Sequence, residues 1–296
     1  MMRVSFVGLG AIGWPMAEHL AKPPFSLSVW NRTPEKSRAF ALRHRVAVAA
    51  TPADAARHGE IVVMCLPSSV EVLEVLEGDD GIAAGLSHGS LLIDCTSGDP
   101  DTSRAIAERL RGRGVGFVDA PVSGGVKGAE AGTLTVMCGG GQSLIDRARP
   151  VLEAFGKKIV RCGDVGAGDA VKAMNQALLA VHIWSAGECL ATLAKLGVDS
   201  SVALDVINGS SGRSNTSENL FPERVLTRAF PRTFKLALLD KDVAIAAGIA
   251  SGAGVSAPFI DLAARLFAEA HDSLGDEADH VEAIRYIENQ AGVQVS

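Results

Sequence analysis

Paired cysteines are missing from this chain. The five it has (Cys65, Cys95, Cys138, Cys162, Cys189) are odd in number, scattered and without a CxxC spacing. That excludes a disulfide framework and reads as reduced, mostly buried packing thiols of a cytoplasmic protein. Seven histidines are present, none at HxxxH spacing, so no metal site is expected. Positive charge is not in excess. Lys and Arg number 28 against 34 Asp and Glu, for a net charge of −6, which argues against nucleic acid or an anionic membrane as partner. The opening residues Met1-Met2-Arg3-Val4-Ser5-Phe6-Val7 run into a strand pattern. They lack the apolar core and small-residue cleavage site of a secretion signal.

The chain has 296 residues, 47% of them hydrophobic and 21% charged. That is a globular composition at a length suited to two domains. In the first half, short apolar runs alternate with helical stretches. Val4–Gly8, Ser26–Trp30, Ile61–Leu66, Leu91–Asp94, Gly116–Asp119, Leu134–Cys138 and Ile159–Cys162 read as strands. Trp14–Ala21, Glu35–His44 and about 102–111 read as helices. The run Ile61–Leu66 is continuously apolar, as in a parallel strand buried on both faces. Beyond Cys162 no further strand is legible. A long apolar helix spans about 170–196, closed by Gly197, and Ser201–Asn208, Leu236–Ala250, Ala257–His271 and His280–Asn289 have helical period. Asn175, Gln176, His182 and Glu188 punctuate the long helix, so a buried or dimer-facing helix is expected rather than a membrane span. The fold class is therefore α/β. Residues 1–163 form a Rossmann-type parallel-sheet domain, and residues 164–296 an all-helical domain serving substrate and dimerisation.

Three places carry chemistry. Gly8-Leu9-Gly10-Ala11-Ile12-Gly13 follows the first strand and opens a helix, the setting in which glycines let a dinucleotide pyrophosphate approach a helix N-terminus. The second strand ends in Asn31, Arg32 and Thr33 rather than the acid usual for NAD ribose. An uncharged Asn and a forked guanidinium suit a 2′-phosphate, so NADP(H) is the expected cofactor, with NAD(H) as the alternative. The second place is Asp119-Ala120-Pro121-Val122-Ser123-Gly124-Gly125, a strand end that turns through a serine and two glycines. Such a turn can aim a hydroxyl and bare N–H groups at a carboxylate. The third is Lys172, which follows Gly166-Ala167-Gly168 and is read as lying in the first turn of the long helix. An ammonium set against the helix dipole in apolar surroundings is expected to have a lowered pKa, as a proton-transfer residue requires. A surface lysine at a frayed helix end is the competing reading. Asn175 and Gln176 share its helical face.

With these motifs in order, the chain resembles the β-hydroxyacid dehydrogenase family, the group of 3-hydroxyisobutyrate dehydrogenase and tartronate semialdehyde reductase. The resemblance covers essentially the whole chain. It rests on Gly8–Gly13 followed by Trp14-Pro15-Met16-Ala17, on Asp119–Gly125 with Gly128–Leu134, on Gly166–Gln176, and on Asp240-Lys241-Asp242. It implies that Lys172 is the catalytic lysine. It further implies that Ser123, Gly124 and Gly125 hold a small carboxylate substrate, and that Asn175 and Gln176 orient it. Leu66 and Pro67 would form the loop over the adenine side, with Thr96 and Ser97 near the nicotinamide ribose. Lys241 would reach the cofactor site, with Asp242 beside it. Many members carry two asparagines where this chain has Asn175 and Gln176, and Ser-Thr where it has Thr96-Ser97.

The activity implied is reversible hydride transfer between NADP(H) or NAD(H) and a short 3-hydroxy acid or semialdehyde, in a homodimer or homotetramer. The alternatives are imine reduction on the same scaffold, or an inactive NADP-binding interaction module. Both alternatives are expected to lack a lysine at position 172. The segments Ser210–Asn219 and Phe230–Phe234 are expected to flank the pocket, with Arg213 either pairing a second anionic group or lying in solvent.

Overall fold

The computed structural model describes every residue from Met1 to Ser296 and divides into two compact units, Met1–Lys172 and Ala173–Ser296. The first unit is built on a nine-stranded sheet. Its strands are β1 (Met2–Val7), β2 (Phe25–Trp30), β3 (Ala47–Val48), β4 (Ile61–Met64), β5 (Leu91–Asp94), β6 (Gly116–Asp119), β7 (Val122–Ser123), β8 (Leu134–Gly139) and β9 (Gly156–Gly163). The spatial order is β3-β2-β1-β4-β5-β6-β8-β7, with β9 on β8. From β3 to β6 every pairing is parallel. The sheet is not parallel throughout, however. Strand β8 runs antiparallel to both β6 and β7, and parallel only to β9. Between β7 and β8 the chain has only the short helix Gly125–Glu130, too little for a parallel crossover, so it returns antiparallel.

Burial on both faces explains the unbroken apolar strands. Ile61 and Val63 of β4 pack into one cluster with Val4, Phe6 and Ile93, while Val62 and Met64 pack into another with Leu92 and Phe117. Each such side chain contributes about 1.5–3 kcal/mol on burial. Helices the sequence reading lacked, Pro52–His58 and Ser69–Leu76, start at Thr51 and Ser68, whose hydroxyls accept from the N–H of Asp54 and Val70. The helix Gln142–Phe155, with Pro150 inside it, is a further addition.

The second unit is helical: Ser200–Asn208, a π-helical segment Thr216–Val225, Leu236–Gly252, Pro258–Leu274, a 3₁₀ turn His280–Glu282 and Ala283–Ala291. Its core gathers Ile183, Trp184, Leu190, Phe221, Leu239, Phe267 and Ile284. Fully buried Asp279 ties its elements together, accepting from Arg224 (3.0 Å), from the Thr233 N–H (3.2 Å) and from the Val281 N–H (3.2 Å). Burial pushes that carboxyl up, but His280, the Val281 N–H and Arg224 together hold it at about 2.

The long helix Ala167–Lys195 is long and apolar enough to cross a membrane by length and composition. Its Ala180, Ile183, Trp184, Leu190 and Ala191 are buried in the core of the second unit. The two compact units divide inside this helix, after Lys172, while the expected 163/164 boundary coincides with the end of the last strand. Gly166, just before the helix, and Asp169, in its first turn, donate their N–H groups to Asp119 at the end of β6, which ties the helix start to the sheet. All five cysteines are free. Cys95 and Cys138 are buried, whereas Cys189 is exposed, contrary to the reading of these thiols as mostly buried.

Candidate active site

The glycine turn at the end of β1 is shaped by two different needs. A Cβ on Gly8 (φ 101°) would lie 2.2 Å from the Cys65 carbonyl oxygen, and one on Gly13 would lie 2.0 Å from the Gly8 carbonyl oxygen. Both glycines are therefore demanded by packing within the protein. Gly10 is not: a Cβ there would meet nothing within 4 Å. The space it leaves open adjoins the N-terminus of helix Gly13–Leu20, where Ile12 is the N-cap and no side chain caps the helix. Open space at an uncapped helix N-terminus fits a dinucleotide pyrophosphate. Ala11 is exposed and Leu9 buried, the latter donating its N–H to Asn31 Oδ1 at 2.8 Å.

That contact gives Asn31 a structural task. Its Oδ1 holds the glycine turn and its Nδ2 donates to the Thr33 carbonyl at 3.2 Å, so its amide joins β1 to β2. Arg32 and Thr33 are exposed. Arg32 borders a cavity of about 420 Å³ lined by Trp30, Pro52, Glu74 and Val75, and its guanidinium lies 3.8 Å from the Glu74 carboxylate. At the ends of β4 and β5, Leu66 donates its N–H to Thr96 Oγ1 at 3.1 Å, and the Thr96 N–H reaches Asp94 Oδ1 at 3.0 Å. Thr96 is thus committed to joining the two strand ends. Ser97 beside it is half-buried, and Pro67 is exposed.

Strands β5 and β6 both end in aspartate, and these acids organise the start of the long helix. Asp119 Oδ1 accepts from the Gly166 N–H at 2.8 Å and Oδ2 from the Asp169 N–H at 3.1 Å. Asp169 in turn accepts from Ser103 Oγ at 2.7 Å. A Cβ on Gly168 would sit 2.2 Å from the Met137 carbonyl oxygen and 2.8 Å from Asp119 Oδ2, so glycine is what lets the helix approach the sheet. Burial pushes all three carboxyls up, Asp94 to about 6 and Asp169 to about 8; the charge of Asp119 adds to the rise at Asp94 and Asp169, and hydrogen bonds to each of the three oppose it. Motif reading alone gives neither Asp119 nor Asp94 a role. The signal was there: two apolar strands, LLID and GFVD, each ending in an acid.

Lys172 is 8% exposed. Because the helix starts at Ala167, Lys172 lies in its second turn and not the first, where the dipole has largely faded. Its distinction is burial rather than position against the dipole. The first turn carries Asp169 instead. The same stretch of chain that clamps this helix through Asp119 continues into Ser123 of β7 and the exposed turn Gly124 (φ 136°) and Gly125 (φ 64°). In the second unit, Gln176 is 4% exposed and Asn175 exposed. Asn175 Nδ2 donates to Gln176 Oε1 at 3.3 Å, and Gln176 Nε2 donates to Asp242 Oδ2 at 3.0 Å. Lys241 Nζ donates to Asp242 Oδ1 at 2.7 Å. Asp242, 2% exposed, is therefore the hub that fixes both an amide and a lysine. Arg213 is exposed and lies 3.6 Å from Glu218.

Comparison with known proteins finds similarity along nearly the whole chain. Residues 3–163 match the family model of the NAD binding domain of 6-phosphogluconate dehydrogenase, and residues 166–287 that of the NAD-binding region of NADP-dependent 3-hydroxyisobutyrate dehydrogenase. The chain is 36% identical over 278 residues to 3-hydroxyisobutyrate dehydrogenase of Pseudomonas aeruginosa, covering 90% of this chain and 91% of that protein. It is 34% identical over 274 residues to an NAD-dependent L-serine dehydrogenase of the same organism, covering 90% and 91%. Among solved structures, 3-hydroxyisobutyrate dehydrogenase of Mycobacterium tuberculosis with L-serine superposes with a TM-score of 0.87 at 31% identity, covering 97% of this chain and 99% of that one.

Proposed function

The chain belongs to the β-hydroxyacid dehydrogenase family, and from that premise we propose that Lys172 is the acid and base of a reversible hydride transfer between NADP(H) and a short 3-hydroxy acid. Membership makes it an NAD(P)-dependent oxidoreductase. The observation that carries the finer reading is a buried lysine in a helix whose start is clamped by Asp119, the residue that opens the Ser123-Gly124-Gly125 stretch.

When bound, the nicotinamide gives or takes the hydride. In oxidation, neutral Lys172 accepts the proton of the substrate hydroxyl. In reduction, its ammonium offsets the charge growing on the carbonyl oxygen and returns the proton. Ser123 and the N–H groups of Gly124 and Gly125 hold the carboxylate and so fix the orientation of the reacting carbon. Asn175 and Gln176, one helical turn beyond Lys172, steady the substrate oxygen. Gln176 comes to that task already oriented by Asp242.

Two relatives act, by name, on 3-hydroxyisobutyrate and L-serine. Both substrates have a hydroxyl on the carbon β to a carboxylate, which is the class proposed for this chain. Arg32 after β2 favours the 2′-phosphate of NADP(H). The test is a kinetic screen of three- and four-carbon semialdehydes and 3-hydroxy acids with both nicotinamides, followed at the NADPH absorbance band. Turnover with at least one 3-hydroxy acid or semialdehyde is the expected result, and its absence across the panel contradicts the substrate class.

We further propose a cytoplasmic homodimer or homotetramer. Leu178 on the long helix, Val202 and Val206 on Ser200–Asn208, and Phe259 on Pro258–Leu274 are apolar side chains more than half exposed, and association would cover them. Light scattering coupled to size exclusion tests this, a monomer being the contrary result.

A further inference from the structure

We propose that Glu74 is a specificity-determining residue that holds down the preference for NADP(H) set by Arg32, so that the chain uses both nicotinamides. This rests on Arg32 being the residue that meets the 2′-phosphate. With the Asn31 amide taken by the Leu9 N–H and the Thr33 carbonyl, the first side chain after β2 with a charge to offer is Arg32. Its guanidinium faces the carboxylate of Glu74 at 3.8 Å, beside the cavity walled by Trp30, Pro52 and Val75.

The other acids on that cavity are Glu77, Asp79 and Asp80. Glu77 is engaged by Arg109, and no ion pair joins Asp79 or Asp80 to Arg32. Glu74 is therefore the carboxylate that a ligand at Arg32 must contend with. A 2′-phosphate brings close to two negative charges to this spot. It must draw Arg32 from Glu74 and then lie beside that carboxylate. A 2′-hydroxyl carries no charge, is not repelled, and can donate to the same carboxylate as ribose hydroxyls do to the acid of NAD-binding folds.

Both side chains are more than half exposed, so the effect is screened and modest, about three- to tenfold in relative affinity. Their exposure also means that substitution leaves the fold intact. The experiment is calorimetric titration of the full chain with NADP⁺ and with NAD⁺ at low salt and at high salt, for the wild type, Glu74→Gln and Arg32→Ala. Glu74→Gln is expected to raise the NADP⁺ to NAD⁺ affinity ratio about three- to tenfold at low salt and less at high salt. Arg32→Ala is expected to lower it. If Arg32→Ala lowers the ratio while Glu74→Gln leaves it unmoved or lowers it, the role of Glu74 is refuted and that of Arg32 stands. If Arg32→Ala leaves the ratio unchanged, the Arg32 reading fails and this inference fails with it.

Discussion

Replacing Asp169 with asparagine should make the protein more stable, and increasingly so as pH rises. Asp169 is 1% exposed and its carboxyl is pushed up to about 8, first by burial and then by the charge of Asp119, with the Ser103 hydroxyl opposing. In the unfolded chain an aspartate titrates near 3.9. Between those values the folded chain holds a proton that the unfolded chain has released. Stability therefore falls as pH climbs from about 4 through about 8, since the native state is the one binding more protons. Four pH units at 1.36 kcal/mol each set a ceiling of about 5 kcal/mol. Because Asp94 and Asp119 share the same buried region and relax together with Asp169, the expected swing is on the order of 1–3 kcal/mol. Asparagine has the same shape and no charge at any pH. Its oxygen can accept the Gly98 N–H and its amide can face Ser103 (3.4 and 2.7 Å from the carboxylate oxygens now). At pH 5 the two proteins should unfold at nearly the same urea concentration. By pH 9 Asp169→Asn should be the more stable by that margin, read by tryptophan fluorescence, with Trp14 and Trp30 reporting on the same unit. A stability difference that does not change between pH 5 and pH 9 would show that Asp169 is not held protonated by its surroundings.

Other perturbations test other joints of the structure. Asp242→Ala removes the acceptor shared by Gln176 and Lys241. It should lower turnover about 10–100-fold, with Asp242→Asn milder, as steady-state kinetics would show. Gly168→Ala puts a methyl 2.2 Å from the Met137 carbonyl oxygen and should cost about 2–4 kcal/mol in a urea melt, with loss of activity. Gly248→Ala is the matched control. It lies on an exposed helical face where a Cβ meets nothing within 4 Å, and it should raise stability by about 0.5–1 kcal/mol in the same melt.

How much of this could be read beforehand depends on what kind of signal each feature leaves. Strands buried on both faces announce themselves as apolar runs, so β4 and β5 were legible to within a residue or two. The glycine turn and the Asp119–Gly125 stretch were legible because backbone approach demands particular residues in sequence. The reversal of β8 was not, because strand direction depends on what lies between β7 and β8 and on which neighbour offers an open edge. The position of Lys172 was misjudged by one turn. Gly166 and Gly168 read as a break, yet Gly168 is inside the helix, tolerated there for its close contact with Met137 and Asp119. The buried acids escaped assignment for a similar reason. Asp94, Asp119, Asp169 and Asp242 are far apart in sequence, and only folding shows which N–H groups, hydroxyls and amides each one serves. The π-helical segment Thr216–Val225, with Pro222 inside it, has no pattern that a 3.6-residue period would reveal.

Turnover of Lys172→Ala, measured with the best semialdehyde from the screen alongside its calorimetric affinity for NADP⁺, bears most directly on the proposal that this lysine moves the proton. The account predicts a fall in kcat of about a thousandfold or more with NADP⁺ affinity changed less than threefold. Near-normal kcat, or a loss explained entirely by weakened NADP⁺ binding, would contradict it.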